Sequence, residues 1–171
     1  VQGSGFVVEA NGLTITNNHV VANATEIEVS FSDGKKYKAK VIGRDEPTDI
    51  AVLKIEGGKS FPTVSFGDDA RVRVGDWVLA VGNPFGLGGT VTAGIVSARG
   101  RDDVGGAQFT DFIQIDASIN RGNSGGPTFD LSGRVIGMNT AIFSPSGGSV
   151  GIGFAIPSST IQRVVADLKS S

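Results

Sequence analysis

The chain has 171 residues, 39% of them hydrophobic and 19% charged, enough apolar material for one sizeable core or two small ones packed together and too much for a self-repelling disordered chain. Its formal net charge of -2, with no long Lys/Arg block, argues against nucleic acid as a partner. The absence of cysteine excludes a thiol nucleophile, a disulfide framework and thiolate metal sites, and a single histidine leaves little for zinc, so no metal and no cofactor is expected.

In chain order, Asn11-Gly12 separates apolar runs at 6–8 and 13–16, and Asp33-Gly34 separates 26–31 from 37–41. Both dipeptides tolerate the positive φ that tight hairpins require. Residues 26–31 alternate apolar and polar, which predicts a strand with one wet face, whereas 50–55 and 77–81 are more continuously apolar and predict shielded core strands. Ser132-Gly133 predicts a third turn. Only the end has helical spacing, through Ile161, Val164, Val165 and Leu168, with Ser159 and Gln162 in a capping-box pattern over 159–169. Many short strands without intervening helices predict an all-β molecule of barrels or a sandwich, and the Gly67-Asp68-Asp69 loop divides it into 1–70 and 71–171. No run of about eighteen apolar residues is present to span a bilayer, so a soluble chain is expected.

Gly122-Asn123-Ser124-Gly125-Gly126-Pro127 is the strongest local signal. A serine hydroxyl needs a base to take its proton and donors to hold the resulting oxyanion, and flanking glycines let backbone N–H groups converge and a substrate backbone approach. A glycine-rich turn would have the same composition. The base must be His19, the one imidazole, in Thr16-Asn17-Asn18-His19-Val20-Val21, where the first hairpin's second strand gives way to a turn; alone, a single histidine reads equally as a structural or surface residue. The carboxylate needed to fix the imidazole tautomer is best supplied by Asp49, where the polar 44–48 loop meets the apolar strand, although an end-of-strand cap fits that position too. Asp33 and Asp130 adjoin probable turns instead. The order His19, Asp49, Ser124 is the reverse of the α/β-hydrolase order, which argues against an esterase of that fold despite a formal Gly-x-Ser-x-Gly match. The glycine-rich 82–94 stretch lacks the Lys-Ser/Thr ending of a phosphate loop.

With these motifs together, the chain resembles the HtrA/DegP family of trypsin-like serine proteases. The resemblance rests on Gly3-Ser4-Gly5-Phe6, the 16–21 motif, Thr48-Asp49-Ile50-Ala51-Val52-Leu53-Lys54 and the 122–127 motif. Val74-Gly75-Asp76-Trp77-Val78, Gly82-Asn83-Pro84-Phe85-Gly86 and Gly151-Ile152-Gly153-Phe154-Ala155-Ile156-Pro157 extend it over nearly the whole chain. It implies two antiparallel six-stranded Greek-key barrels with a terminal helix, His19 and Asp49 coming from the first barrel and Ser124 from the second. It also implies an oxyanion hole from the N–H groups of Gly122 and Ser124, helped by Asn123. A shallow apolar pocket of Ile119, Ala141, Ile142 and Phe143 would accept small or medium aliphatic residues of unfolded polypeptides. Segments 81–89, 99–110, 119–123 and 142–149 correspond to the family's activation loops. Further implications are an extracytoplasmic, periplasmic setting, a role in protein quality control and a homotrimer, or a monomer for this stretch alone. Family members carry a segment before this domain and usually one or two PDZ domains after it, so the chain is expected to be a processed fragment. A chaperone that holds chains in the cleft without cutting them is the rival from another class.

Overall fold

The computed structural model describes residues 3–58, 60–83, 89–101, 111–120, 122–140 and 152–170. The first half comprises β1 (Gly5–Val7), β2 (Leu13–Asn17), a one-turn helix α1 (Asn18–Val21), β3 (Ile27–Ser30), β4 (Lys36–Asp45) and β5 (Ile50–Ile55). A 3-10 turn (Asp69–Arg71) leads into β6 (Trp77–Gly82), β7 (Thr90–Arg101), β8 (Phe112–Ile115), β9 (Pro127–Phe129), β10 (Val135–Thr140), β11 (Gly153–Pro157) and the closing helix α2 (Ser158–Ser170). The expected all-β architecture with a C-terminal helix is observed. The second half is a closed six-stranded barrel in the order β10-β11-β8-β7-β6-β9; in the first half the described residues pair as five strands, β1-β2-β5-β4-β3, in an open sheet.

Hairpin chemistry sets the first sheet. Gly34 adopts φ +89° between β3 and β4, and the turn closes through Phe31 N–H to Lys35 O at 2.9 Å and Gly34 N–H to Phe31 O at 3.0 Å. β3 is the edge of this sheet, so its apolar positions Ile27 and Val29 are only half-buried. β5 lies between β2 and β4, and its first four residues are buried in succession, as the unbroken apolar run predicts. β6 differs from the sequence expectation. Val78 and Ala80 are buried, but Trp77 is 57% exposed, because every second residue of a barrel strand faces outward however apolar it is. The third turn is braced by Asp130, whose carboxylate accepts from the Ser132 hydroxyl and from the N–H groups of Ser132 and Arg134. Desolvation pushes its pKa up, but these hydrogen bonds and the Arg134 charge outweigh it and hold the carboxyl below its ordinary value.

The two halves share one core. Phe6, Ile15 and Ile50 of the first pack with Met138, Ile156 and Ile161 of the second, each such side chain contributing about 1.5–3 kcal/mol on burial. The terminal segments cross over: Ser4 N–H donates to Ser124 O at 2.9 Å, and α2 brings Leu168 against Gly43 of β4. Ahead of the second barrel, Gly67 N–H donates to Val135 O and Val135 N–H to Ser65 O, both at 2.8 Å, so the connecting segment is already laid onto β10.

The start of α2 is not held by the Ser159/Gln162 pair. Ser159 N–H donates to Asp69 Oδ1 at 2.8 Å and the Ser158 hydroxyl to the same atom at 3.1 Å, so a carboxylate ninety residues upstream caps the helix. Asp69, 5% exposed, also pairs with Arg99 of β7 at 3.4 Å. Asp69→Ala is therefore expected to lower stability by about 2–4 kcal/mol, because it uncaps α2 and removes the carboxylate partner of Arg99 in one step. Urea unfolding of the two proteins measures it.

Candidate active site

β2 and β5 pair with Asn17 opposite Ile50, which places the start of α1 beside the residue that precedes β5. His19 sits in α1 and Asp49 immediately before β5. Asp49 grips His19 twice: Oδ1 accepts from the His19 backbone N–H at 2.8 Å, and Oδ2 lies 2.6 Å from Nδ1. With Nδ1 facing a carboxylate, the proton belongs on Nδ1 and Nε2 is left as the basic nitrogen. The imidazole is 48% exposed and the carboxylate 26%, so the pair lies at the surface with the acid the more enclosed of the two.

Asp49 is the one non-glycine residue with positive φ among the described residues, at +59°. A left-handed backbone here costs on the order of 1–3 kcal/mol and persists only where its surroundings over-determine it. They do so from every side. Asp49 N–H donates to Glu46 O at 3.1 Å, and its carbonyl accepts from Asn18 N–H and from Asn17 Nδ2, each at 3.0 Å.

Ser124 lies on the turn before β9, 1% exposed, and its hydroxyl donates to Asn17 Oδ1 at 2.9 Å. Asn17 therefore touches both the nucleophile candidate and the carboxylate candidate's backbone, across the junction of the two halves. The turn is built for its own chain. A Cβ on Gly125, whose φ is +90°, would come within 2.2 Å of Ser4 O, and one on Gly126 within 2.0 Å of Val81 O. The room that these glycines make is occupied by neighbouring backbone, where the sequence reading reserved it for substrate.

The N–H groups expected to hold an oxyanion are engaged within the loop. Gly122 N–H donates to Asn120 Oδ1 at 2.8 Å and Ser124 N–H to Asn120 O at 3.0 Å. Asn123, 2% exposed, turns its side chain back on the loop, accepting from Asn120 N–H at 3.0 Å and donating to Ser118 O at 2.9 Å. Of the pocket residues, Ile119 is 6% exposed and belongs to the core cluster of the second barrel, while Ala141, Ile142 and Phe143 lie outside the described residues. Of the expected activation loops, 84–88, 102–110 and 142–149 also lie outside them.

A family model described as the trypsin-like peptidase domain matches residues 3–138. The chain belongs to the trypsin-like peptidase family. The peptidase domain is 66% identical over 168 residues to a probable periplasmic serine endoprotease, DegP-like, of Brucella suis, covering 98% of this chain and 33% of the relative. It is 62% identical over 166 residues to the protein of the same name from Bartonella henselae, with 97% and 33% covered. A solved HtrA-type protease, AlgW with a decapeptide, superposes with a TM-score of 0.92 at 50% identity, covering 98% of this chain and 51% of that one. In fold and sequence the chain is thus similar to serine endoproteases named DegP-like and to a protease of the HtrA type. The domain spans about a third of the length of these curated relatives and half of that solved chain.

Sequence reasoning missed the asparagines that fasten this site, Asn17, Asn120 and Asn139. Asn139, fully buried on β10, donates from Nδ2 to the carbonyls of Val81, Asn123 and Pro127 at 3.1–3.3 Å and accepts from the Thr128 hydroxyl at 2.6 Å. Its backbone exchanges hydrogen bonds with Gly125 and Gly126 at 2.7 and 2.8 Å. Its sequence context, a polar residue in an otherwise apolar strand, is the only signal it gives. Asn139→Ala leaves buried carbonyls without donors and is expected to lower stability by about 3 kcal/mol and turnover with it; urea unfolding alongside peptide hydrolysis reads both.

Proposed function

We propose that the chain is the catalytic domain of a serine endopeptidase acting on unfolded polypeptides, with Ser124 as nucleophile, His19 as general base and Asp49 as the carboxylate that orients it. The observation that carries this reading is the two-point Asp49–His19 contact, at 2.6 and 2.8 Å, joined through the Asn17 side chain to the Ser124 hydroxyl.

In this reaction the Ser124 hydroxyl turns its proton from Asn17 Oδ1 to His19 Nε2, and Oγ attacks the scissile carbonyl carbon as that proton passes to the imidazole. The carbonyl π pair moves onto oxygen, and the imidazolium is offset by Asp49. The tetrahedral centre collapses with cleavage of the C–N bond, the leaving amine taking the proton from His19. Water then attacks the acyl ester by the same route in reverse, releasing the carboxylate product and restoring the serine. The oxyanion is held by the N–H groups of Gly122 and Ser124 once substrate has drawn them from Asn120, and with them engaged as described the domain is at rest. Each such donor is worth on the order of a hundredfold or more in turnover.

The proposed pocket of Ile119, Ala141, Ile142 and Phe143 contains no acid that could pair with a basic side chain, which supports cleavage after Val, Ala or Ile. The relatives' names support a periplasmic setting; a role in protein quality control is what the family resemblance implies. The engaged oxyanion donors favour a second reading, holding polypeptides without hydrolysis. Casein digestion by the parent and by Ser124→Ala separates the two: proteolysis lost in the variant supports the peptidase, and no proteolysis by either supports the holder.

The kinetics of the residues acting as a unit make a sharper expectation. Ser124→Ala, His19→Ala and the double variant should lose similar, very large factors in kcat, whereas multiplying losses would contradict the shared mechanism. Asp49→Asn should keep the fold and reduce turnover roughly ten-thousandfold through the wrong imidazole tautomer.

A further inference from the structure

Asn17 is the last residue of β2, directly ahead of the helix that carries His19, and no part of it is exposed. A fully buried carboxamide is retained only where its donors and acceptors are matched. Here Oδ1 accepts from the Ser124 hydroxyl at 2.9 Å, while Nδ2 donates to Asp49 O at 3.0 Å and reaches Thr140 Oγ1 at 3.4 Å. The chemistry of the partners fixes which way round the amide lies. A backbone carbonyl can only accept, so nitrogen must face Asp49; oxygen then faces Ser124, and the hydroxyl must be the donor.

The geometry points to Asn17 as a positioning residue for the nucleophile, holding Ser124 Oγ in register with the left-handed Asp49 backbone across the junction between the two halves. Ser124 comes from the second barrel and Asp49 from the first sheet, so their alignment depends on the few groups that bridge them. Asn17 is covalently in the first half and hydrogen-bonded to the second at both Ser124 and Thr140. A carboxamide accepts from a hydroxyl and donates to a carbonyl at once, through two separate atoms held in one plane. An alkyl group does neither, and an ionised carboxylate would oppose the Asp49 carbonyl. The backbone of Asp49, with φ at +59°, also loses one of the two donors on its carbonyl if Asn17 is replaced. The carboxylate gripping His19 is carried on that backbone, so the effect reaches the base as well as the nucleophile.

This role deepens the peptidase reading and rests on it. Hydrolysis of an internally quenched peptide with an aliphatic residue before the cut is to be followed for the parent, Asn17→Ser, Thr140→Val and Ser124→Ala. Asn17→Ser is expected to lower kcat between about tenfold and a hundredfold with KM within about twofold. Thr140→Val, which removes the longest of the three contacts at little cost in shape, is expected to lower kcat by a smaller factor and serves if Asn17→Ser fails to fold. The protein has a single histidine, so the downfield Nδ1 proton shared with Asp49 gives one NMR resonance, which should shift or broaden in Asn17→Ser. A kcat equal to or above the parent's, or a loss confined to KM with the resonance unmoved, overturns the assignment. Activity surviving in Ser124→Ala would instead defeat the underlying peptidase reading.

Discussion

Two hydrogen bonds from His19 to one carboxylate, through the backbone N–H at 2.8 Å and Nδ1 at 2.6 Å, are the contact on which the site depends. Together they fix the ring's position and its tautomer, which one bond to the ring would not do. Their geometry requires the carboxylate to approach the start of α1 from outside the helix, and the left-handed turn at Asp49 is what aims it there. The strain is tolerated because Glu46, Asn17 and Asn18 satisfy both backbone groups of Asp49, while the paired strands β2 and β5 hold the two segments in register.

The loop that carries Ser124 is held by a different principle. It forms no regular structure of its own, and its position is imposed by neighbours from elsewhere in the chain. Ser4 donates its hydroxyl to Gly122 O at 2.7 Å and its backbone N–H to Ser124 O at 2.9 Å, Asn139 collects the carbonyls around it, and Val81 O and Ser4 O fill the space that side chains at Gly126 and Gly125 would need. A network of this kind is stiff only when all its members are satisfied. The strand ends and the Ser124 loop are thereby one polar unit seated between apolar cores. Within that unit Asn120 takes up the N–H groups of Gly122 and Ser124, the proposed oxyanion donors, so on that proposal the network that positions the serine also sets what a substrate must displace.

The local chemistry of this fold was legible in the sequence. Asp33-Gly34 specified a hairpin, the apolar 50–55 run specified an enclosed strand, and the C-terminal periodicity specified a helix, because each depends on residues near one another. His19 and Asp49 could be singled out because the chain offers one imidazole and few acids at a loop–strand junction. What stayed hidden depends on contacts between distant residues. Asp69 caps a helix some ninety positions away, and Asn17 and Asn139 look in sequence like ordinary polar residues at strand ends. Trp77 misled because hydrophobicity marks burial on average, whereas the side of a barrel wall a residue faces is decided by register. The glycines of the serine loop were recognised, but their reason was misjudged, since the space they clear belongs to the protein's own backbone.

The central claim is that the Ser124 hydroxyl is the group made nucleophilic by the Asp49–His19 pair. Incubation with a fluorophosphonate, which phosphonylates an activated serine as fluoride leaves, followed by mass mapping of the digested protein, tests it most directly. The account predicts one adduct, on the peptide carrying Ser124, and a greatly slowed reaction in His19→Ala. An adduct on another residue, or labelling of Ser124 at an undiminished rate without the imidazole, would contradict it.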